Sequence, residues 1–67
     1  MKKFKNRIKE RRAKYGLTQE ELAKIAGVRR ETITHLEQGR YNPSLLMAYK
    51  IARALNSSVE EIFIIED

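Results

Sequence analysis

No cysteine occurs in the 67 residues, so no disulfide can staple the fold and no Cys/His cluster with metal-ligand spacing exists. Histidine occurs once, at His35, which removes any histidine pair for binding a metal or moving a proton. No apolar run approaches the ~20 residues of a membrane span, and the opening MKKFKNRIKERR lacks the roughly 7–15-residue apolar segment of a secretory signal. The expectation is a soluble, cytoplasmic chain with no membrane contact. Catalytic sets are missing too: there is no Ser/His/Asp or Cys/His constellation, no phosphate-binding glycine loop and no carboxylate pair in an obvious pocket. An enzyme is the function class these absences disfavour most, and no metal or cofactor is expected. Nor is there a proline-rich or glycine-rich linker or an internal repeat, so residues 1–67 read as one domain. A chain this short buries only about 60% of its unfolded surface. Helix packing and self-association are left as its sources of stability.

What is present is charge, and it is unevenly placed. The formal net charge is +5, yet residues 1–14 carry eight Lys/Arg against Glu10, while residues 57–67 carry four acids and no base. Clustered basic charge is the footprint of a phosphate-binding surface, although a basic solvated face looks the same in composition. The decision falls to local pattern.

Phe4, Ile8 and Tyr15 recur at helical spacing, which predicts a first helix over about residues 5–14, ended by Gly16. Arg12 falls on that apolar stripe and needs a partner, because burying an unpaired charge is costly. Thr18 and Glu21 form a capping-box pattern for a second helix starting at Gln19, with Leu22, Ile25 and Ala26 as its buried side and Gly27 as its turn. After Val28 a third helix follows, with Ile33 and Leu36 as its apolar pair and Gly39 as its stop. Glu37 stands one turn beyond Ile33, on the same buried side. Asn42-Pro43 marks a loop over residues 40–43, and Ser44 caps a fourth helix carrying Leu45, Ala48, Ala52 and Leu55, with Asn56 at its end. Ser58 and Glu61 repeat the capping box for a last short helix, before the apolar run Phe63, Ile64 and Ile65. Tyr15, Ile25, Val28 and Tyr49 are expected in the core.

Two short helices joined by a glycine turn over residues 19–38 have the geometry that presents a second helix to the DNA major groove. Within this unit small Ala23 lets the helices approach and Gly27 makes the turn. The stretch LTQEELAKIAGVRRETITHLEQGRYNPSLLMAYKIARAL resembles the family of phage lambda repressor and Cro, the Xre-like helix-turn-helix regulators, and the likeness extends over residues 6–63. It is carried by Thr18-Gln19, Leu22-Ala23, Gly27-Val28, Thr32-Ile33, Leu36-Glu37, Gly39 and Asn42-Pro43-Ser44 in combination. The resemblance implies an all-α domain of five helices, with Phe63, Ile64 and Ile65 a candidate for a short C-terminal β-strand. It further implies residues 30–38 as a recognition helix and a homodimer on a palindromic operator in double-stranded DNA. Two positions depart from the pattern: Arg29 stands where similar chains carry a helix-capping residue, and Leu46 where they are polar.

On a helix advancing about 100° per residue, Glu31, His35 and Gln38 point away from Ile33 and Leu36, with Thr34 on the flank. That face is the expected reading face. Arg30 can reach guanine O6 and N7, Glu31 can accept from cytosine N4, and Arg29 is a phosphate candidate; the alternative for all three is a solvated helix end. Thr18 and Gln19, at the first turn of the second helix, are expected beside a phosphate, and the resemblance adds phosphate contacts from Arg40, Tyr41 and Asn42. Lys2, Lys3 and Lys5 are either an arm along the backbone or a frayed terminus. Arg12 and Glu37, each on an apolar stripe, are expected to pair, a bridge the family often uses. The dimer is expected through Phe63, Ile64 and Ile65, with Leu46 as a weaker candidate; otherwise that run closes the monomer core. The rival to a transcriptional regulator is an antitoxin or other protein-binding partner on the same fold. Repression by blocking polymerase is the expected sign.

Overall fold

The computed structural model describes residues 3–40 and 42–66, with side chains over 5–40 and 42–64. The order of elements is strand β1 (Lys3–Asn6), helices α1 (Ile8–Tyr15), α2 (Gln19–Ala26), α3 (Arg30–Glu37), α4 (Leu45–Ala54) and α5 (Val59–Ile62), then strand β2 (Phe63–Glu66). The all-α reading with a short C-terminal strand holds, with one addition at the other end. Residues 3–6, which periodicity assigns in part to the first helix, form β1 and pair antiparallel with β2 in the register Lys3↔Glu66, Phe4↔Ile65, Lys5↔Ile64 and Asn6↔Phe63. The β-branched run at the far end of the sequence supplies a ladder partner, and long-range pairing overrides local helical spacing. Arg7 N–H continues the link by donating to the Ile62 carbonyl at 2.8 Å.

Helix boundaries follow from local chemistry. Thr18 Oγ1 accepts from Glu21 N–H at 3.0 Å while Thr18 N–H donates to Glu21 Oε1 at 2.8 Å, and Ser58 and Glu61 repeat the exchange at 3.2 and 2.8 Å. Ser44 Oγ caps α4 by accepting from Met47 N–H at 3.1 Å. Gly27 ends α2 at φ +75°, left-handed backbone in which Val28 N–H returns to the Ala23 carbonyl at 2.9 Å. Asn56 makes the same closure at φ +53° without being glycine, with Ser57 N–H on the Ala52 carbonyl at 2.9 Å.

The helices enclose a core in which Ile8, Leu22, Ile33, Leu36, Ile51, Leu55 and Ile62 are fully buried. Each contributes about 1.5–3 kcal/mol of apolar burial. Ala23, Ala26 and Ala52 are also buried in this core, and α2 packs on both α3 and α4. Small side chains there let helix axes come close. Four apolar residues assigned to the core or to a core-facing stripe lie outside it: Tyr15, Ile25, Leu45 and Tyr49 are 41%, 59%, 79% and 53% exposed. Because the buried face of α2 is centred on Leu22, Ala23 and Ala26, Ile25 is turned well away from it. On α4 the buried face is centred on Ala48, Ile51, Ala52 and Leu55, which turns Tyr49 outward and leaves Leu45 in the first turn beyond the packed region. Tyr15 is the last residue of α1, with the Lys14 ammonium over its ring at 5.6 Å. Val28 is half-buried against the core.

Candidate nucleic-acid interface

Recognition of DNA by a helix requires that the helix be fixed at its rear and free at its front. The rear of α3 is held by Ile33 and Leu36, both fully buried, and by a polar cluster at its C-terminal end. Arg12 on α1 donates from Nε to Glu37 Oε2 at 2.7 Å and from Nη2 to Glu37 Oε1 at 3.1 Å, a two-pronged pair. Its third nitrogen, Nη1, donates to the Leu17 carbonyl at 2.9 Å, so one guanidinium binds α3 and the α1–α2 connection together. The two side chains are only 15% and 8% exposed. The hydrogen bond to Glu37 raises the pKa of the guanidinium further, outweighing burial, which acts to lower it. Among the described residues no buried side-chain polar atom lacks a partner.

Glu37 has a further donor. Gln19 Nε2, from the first turn of α2, reaches Glu37 Oε1 at 3.1 Å, and Gln19 Oε1 accepts from Thr34 Oγ1 at 3.0 Å. Gln19 and Thr34 are both half-buried, so two positions read from the sequence as DNA contacts are also joined to each other and to the ion pair. Asn6 is a residue that sequence reasoning missed. Its Nδ2 donates to the Leu36 carbonyl at 2.7 Å, fastening the C-terminal end of α3, and its Oδ1 accepts from Ile8 N–H at 3.3 Å, starting α1. An asparagine whose side chain accepts the N–H two residues on is a local turn signal, here placed just ahead of the helix.

The front of α3 is open. Arg29, Arg30, Glu31, His35 and Gln38 are exposed, and Arg40 and Asn42 are exposed in the loop that follows. Thr18 is exposed at the start of α2. Arg29, a donor-only guanidinium, makes no side-chain cap on α3. Within residues 29–40, three exposed arginines thus stand against one exposed acid, Glu31. Tyr41, Met1, Lys2 and Asp67 lie outside the described residues, as do the side chains of Lys3, Phe4, Ile65 and Glu66. Of the residues expected at a dimer contact, Leu46 is 63% exposed, Phe63 is half-buried against the core and Ile64 is half-buried.

This arrangement, a buried-backed helix with a basic, exposed front following a short capped helix, has close parallels in known proteins. The helix-turn-helix family model HTH_3 matches residues 8–62. An uncharacterized HTH-type transcriptional regulator of Archaeoglobus fulgidus is 65% identical over 64 residues, covering 96% of this chain and 91% of the relative. YgzD of Bacillus subtilis, named in the same terms, is 44% identical over 64 residues, covering 96% of this chain and 97% of its own. Among solved structures, the restriction-modification controller protein C.AhdI of Aeromonas hydrophila superposes with a TM-score of 0.78 at 38% identity, over 82% of this chain and 83% of that one. SinR, in its complex with SinI, superposes with a TM-score of 0.76 at 34% identity, over 81% of this chain and 53% of that one. These relatives are regulators and not enzymes, and with them this chain belongs to the lambda-repressor-like, Xre-type helix-turn-helix family of DNA-binding transcriptional regulators.

Proposed function

We propose that the protein is a cytoplasmic repressor that binds a palindromic operator as a homodimer, with α3 in the major groove of each half-site. The observation that carries this reading is the contrast between the two sides of α3. Its rear is fixed by Leu36, Ile33 and the Arg12–Glu37 pair, while its front offers Arg29, Arg30, Glu31, His35 and Gln38 to solvent. Bases are read by donors and acceptors held in a fixed geometry, and flanking cations set the register on phosphates. Arg40 as a cation, and Thr18, Gln19 and Asn42 as neutral partners, are the proposed phosphate contacts, with Tyr41 added by the family pattern. In a dimer the two α3 helices would stand ~34–36 Å apart, one turn of DNA.

Self-association is supported by the C-terminal strand and α4. An isolated two-stranded pairing is marginal on its own, and β1–β2 is such a pair, with Ile64 only half-buried within it. Phe63, Ile64 and Ile65, with Leu46 nearby in role, are the proposed contact with the second copy. Selection of bound duplexes from a random pool tests the function. Recovery of a twofold-symmetric site, occupied by two copies in analytical ultracentrifugation, is the expected result. Equal affinity for the selected and a scrambled duplex would remove the reading.

A protein partner is the second reading, favoured by one observation. Leu45, Leu46 and Tyr49 leave large apolar surfaces exposed along one side of α4. Stable one-to-one recovery with a different protein, in place of DNA, would favour an antitoxin-like role.

A further inference from the structure

From the ion pair towards the open face of α3, each hydrogen bond has only one possible direction. A guanidinium has donors alone and a carboxylate acceptors alone. The Gln19 atom 3.1 Å from Glu37 Oε1 is therefore the amide nitrogen, which turns the amide oxygen to Thr34. That oxygen can only accept, so the Thr34 hydroxyl at 3.0 Å is its donor. The alternative acceptor for the same proton is the Arg30 carbonyl of α3 itself, at 3.2 Å. A threonine hydroxyl has one proton, and both places it can go lie within the protein.

This fixes what Thr34 can offer outward. Phosphate oxygens only accept, so a hydroxyl with no free proton cannot bond one. The residue is half-buried, one turn after Arg30 and one turn before Gln38 on the flank of the exposed face. With its proton committed to Gln19 or Arg30, Thr34 can offer a ligand only the acceptor lone pairs of Oγ1 and the apolar Cγ2 methyl. The major groove presents one apolar feature, the C5-methyl of thymine, and threonine methyls are among its partners.

We propose that Thr34 is a specificity-determining residue that packs its methyl on the C5-methyl of a thymine, its rotamer locked by the chain Arg12, Glu37, Gln19. The inference rests on the reading of α3 as the DNA-binding helix. It also leaves Gln19 a single amide N–H to offer, the other being given to Glu37.

Deoxyuridine, which lacks only the C5-methyl, provides the test. In the duplex selected from the random pool, each thymine of a half-site is replaced in turn, and affinity is measured for wild type, Thr34→Ser and Thr34→Val. Serine keeps the hydroxyl and loses the methyl, whereas valine keeps a methyl and loses the hydroxyl. Wild type is expected to lose about fourfold per half-site at one thymine, the scale of one buried carbon. That loss should vanish in Thr34→Ser and persist in Thr34→Val, with both variants melting near wild type. A selected site without thymine, or a Thr34→Ser response equal to wild type at every thymine, overturns the assignment while leaving DNA binding intact. Failure of wild type to prefer the selected duplex over a scrambled one overturns both.

Discussion

Arg12 and Glu37 are joined by two hydrogen bonds of 2.7 and 3.1 Å across residues that are 25 positions apart, and neither side chain is more than 15% exposed. Removing one partner strands the other charge, so Arg12→Met or Glu37→Gln should cost about 3 kcal/mol, the lower end for buried pairs because the guanidinium keeps some access to water. In a domain of this size that lowers Tm by about 12 °C or more. The double variant Arg12→Met, Glu37→Leu should recover most of the loss. Chemical denaturation of the three proteins measures both terms, and a double variant no more stable than the singles would refute the stranded-charge account.

The helix ends separate a required glycine from an improvable asparagine. A Cβ at Gly27 meets nothing within 4 Å, yet the backbone there is left-handed at φ +75°. Gly27→Ala should therefore cost about 1–2 kcal/mol from backbone conformation alone. Asn56 holds φ +53° with a side chain present, so Asn56→Gly should stabilise by about 0.5 kcal/mol. Opposite signs of the shift in denaturation midpoint are the outcome to look for.

Acid should weaken α2 and α5 through their caps. Glu21 is held below the usual glutamate range mainly by its hydrogen bond from the Thr18 backbone and then from the Thr18 side chain; Ser58 acts likewise on Glu61, with Arg11 at 3.9 Å contributing less. A lowered folded pKa means the stabilisation is fully present above the unfolded value of about 4.3 and disappears as pH falls through the folded value. Glutamine can fill the same cap without titrating. The Glu21→Gln, Glu61→Gln protein should thus lose less stability than wild type between pH 5 and pH 3, pH values chosen to bracket about 4.3; parallel melting curves at the two pH values would contradict this.

On DNA, two exposed arginines should fail in different ways. Arg30→Ala, if Arg30 reads a guanine, should lose about 1–3 kcal/mol on the selected duplex and relax preference at one base pair. Arg40→Ala, if Arg40 meets only phosphate, should weaken all sequences alike and reduce the salt slope by about 0.9. Titrations on selected and scrambled duplexes at several salt concentrations separate the two, and identical behaviour of both variants would dissolve the distinction.

What could be read from sequence was local. Thr18 with Glu21, Ser44, and Ser58 with Glu61 mark helix starts through chemistry confined to four residues, and the structure begins α2, α4 and α5 one residue after each cap. Periodicity located apolar stripes, but it cannot say where a stripe stops being covered. Tyr15, Leu45 and Tyr49 continue or border stripes beyond the reach of a packing partner, and Ile25 lost its place when the helices met over alanines. Strand β1 was illegible because its ladder partner lies at the opposite end of the sequence. In the candidate site, exposure on α3 followed from its buried pair Ile33 and Leu36. The internal bonds of Gln19 did not, because nothing in the spacing of Gln19, Thr34 and Glu37 shows that two helices bring them within 3.1 Å.

The pairing of β1 with β2 also has a bearing on the order in which the molecule assembles. Lys3 and Glu66 are the first and last described residues, so their ladder closes the largest loop of the fold, and loop closure is entropically least favourable for the most distant contacts. Contacts of α2 with α3 and α4, and of α1 with α3 through Arg12 and Glu37, close shorter loops than the strand pair does and form at lower entropic cost. The helices that carry the proposed reading surface are therefore expected to come together before the strands seal the domain. In the reverse direction the strand pair is expected to open before the helices separate, which hydrogen exchange would read as earlier loss of protection in β1 and β2 than in α2 and α3.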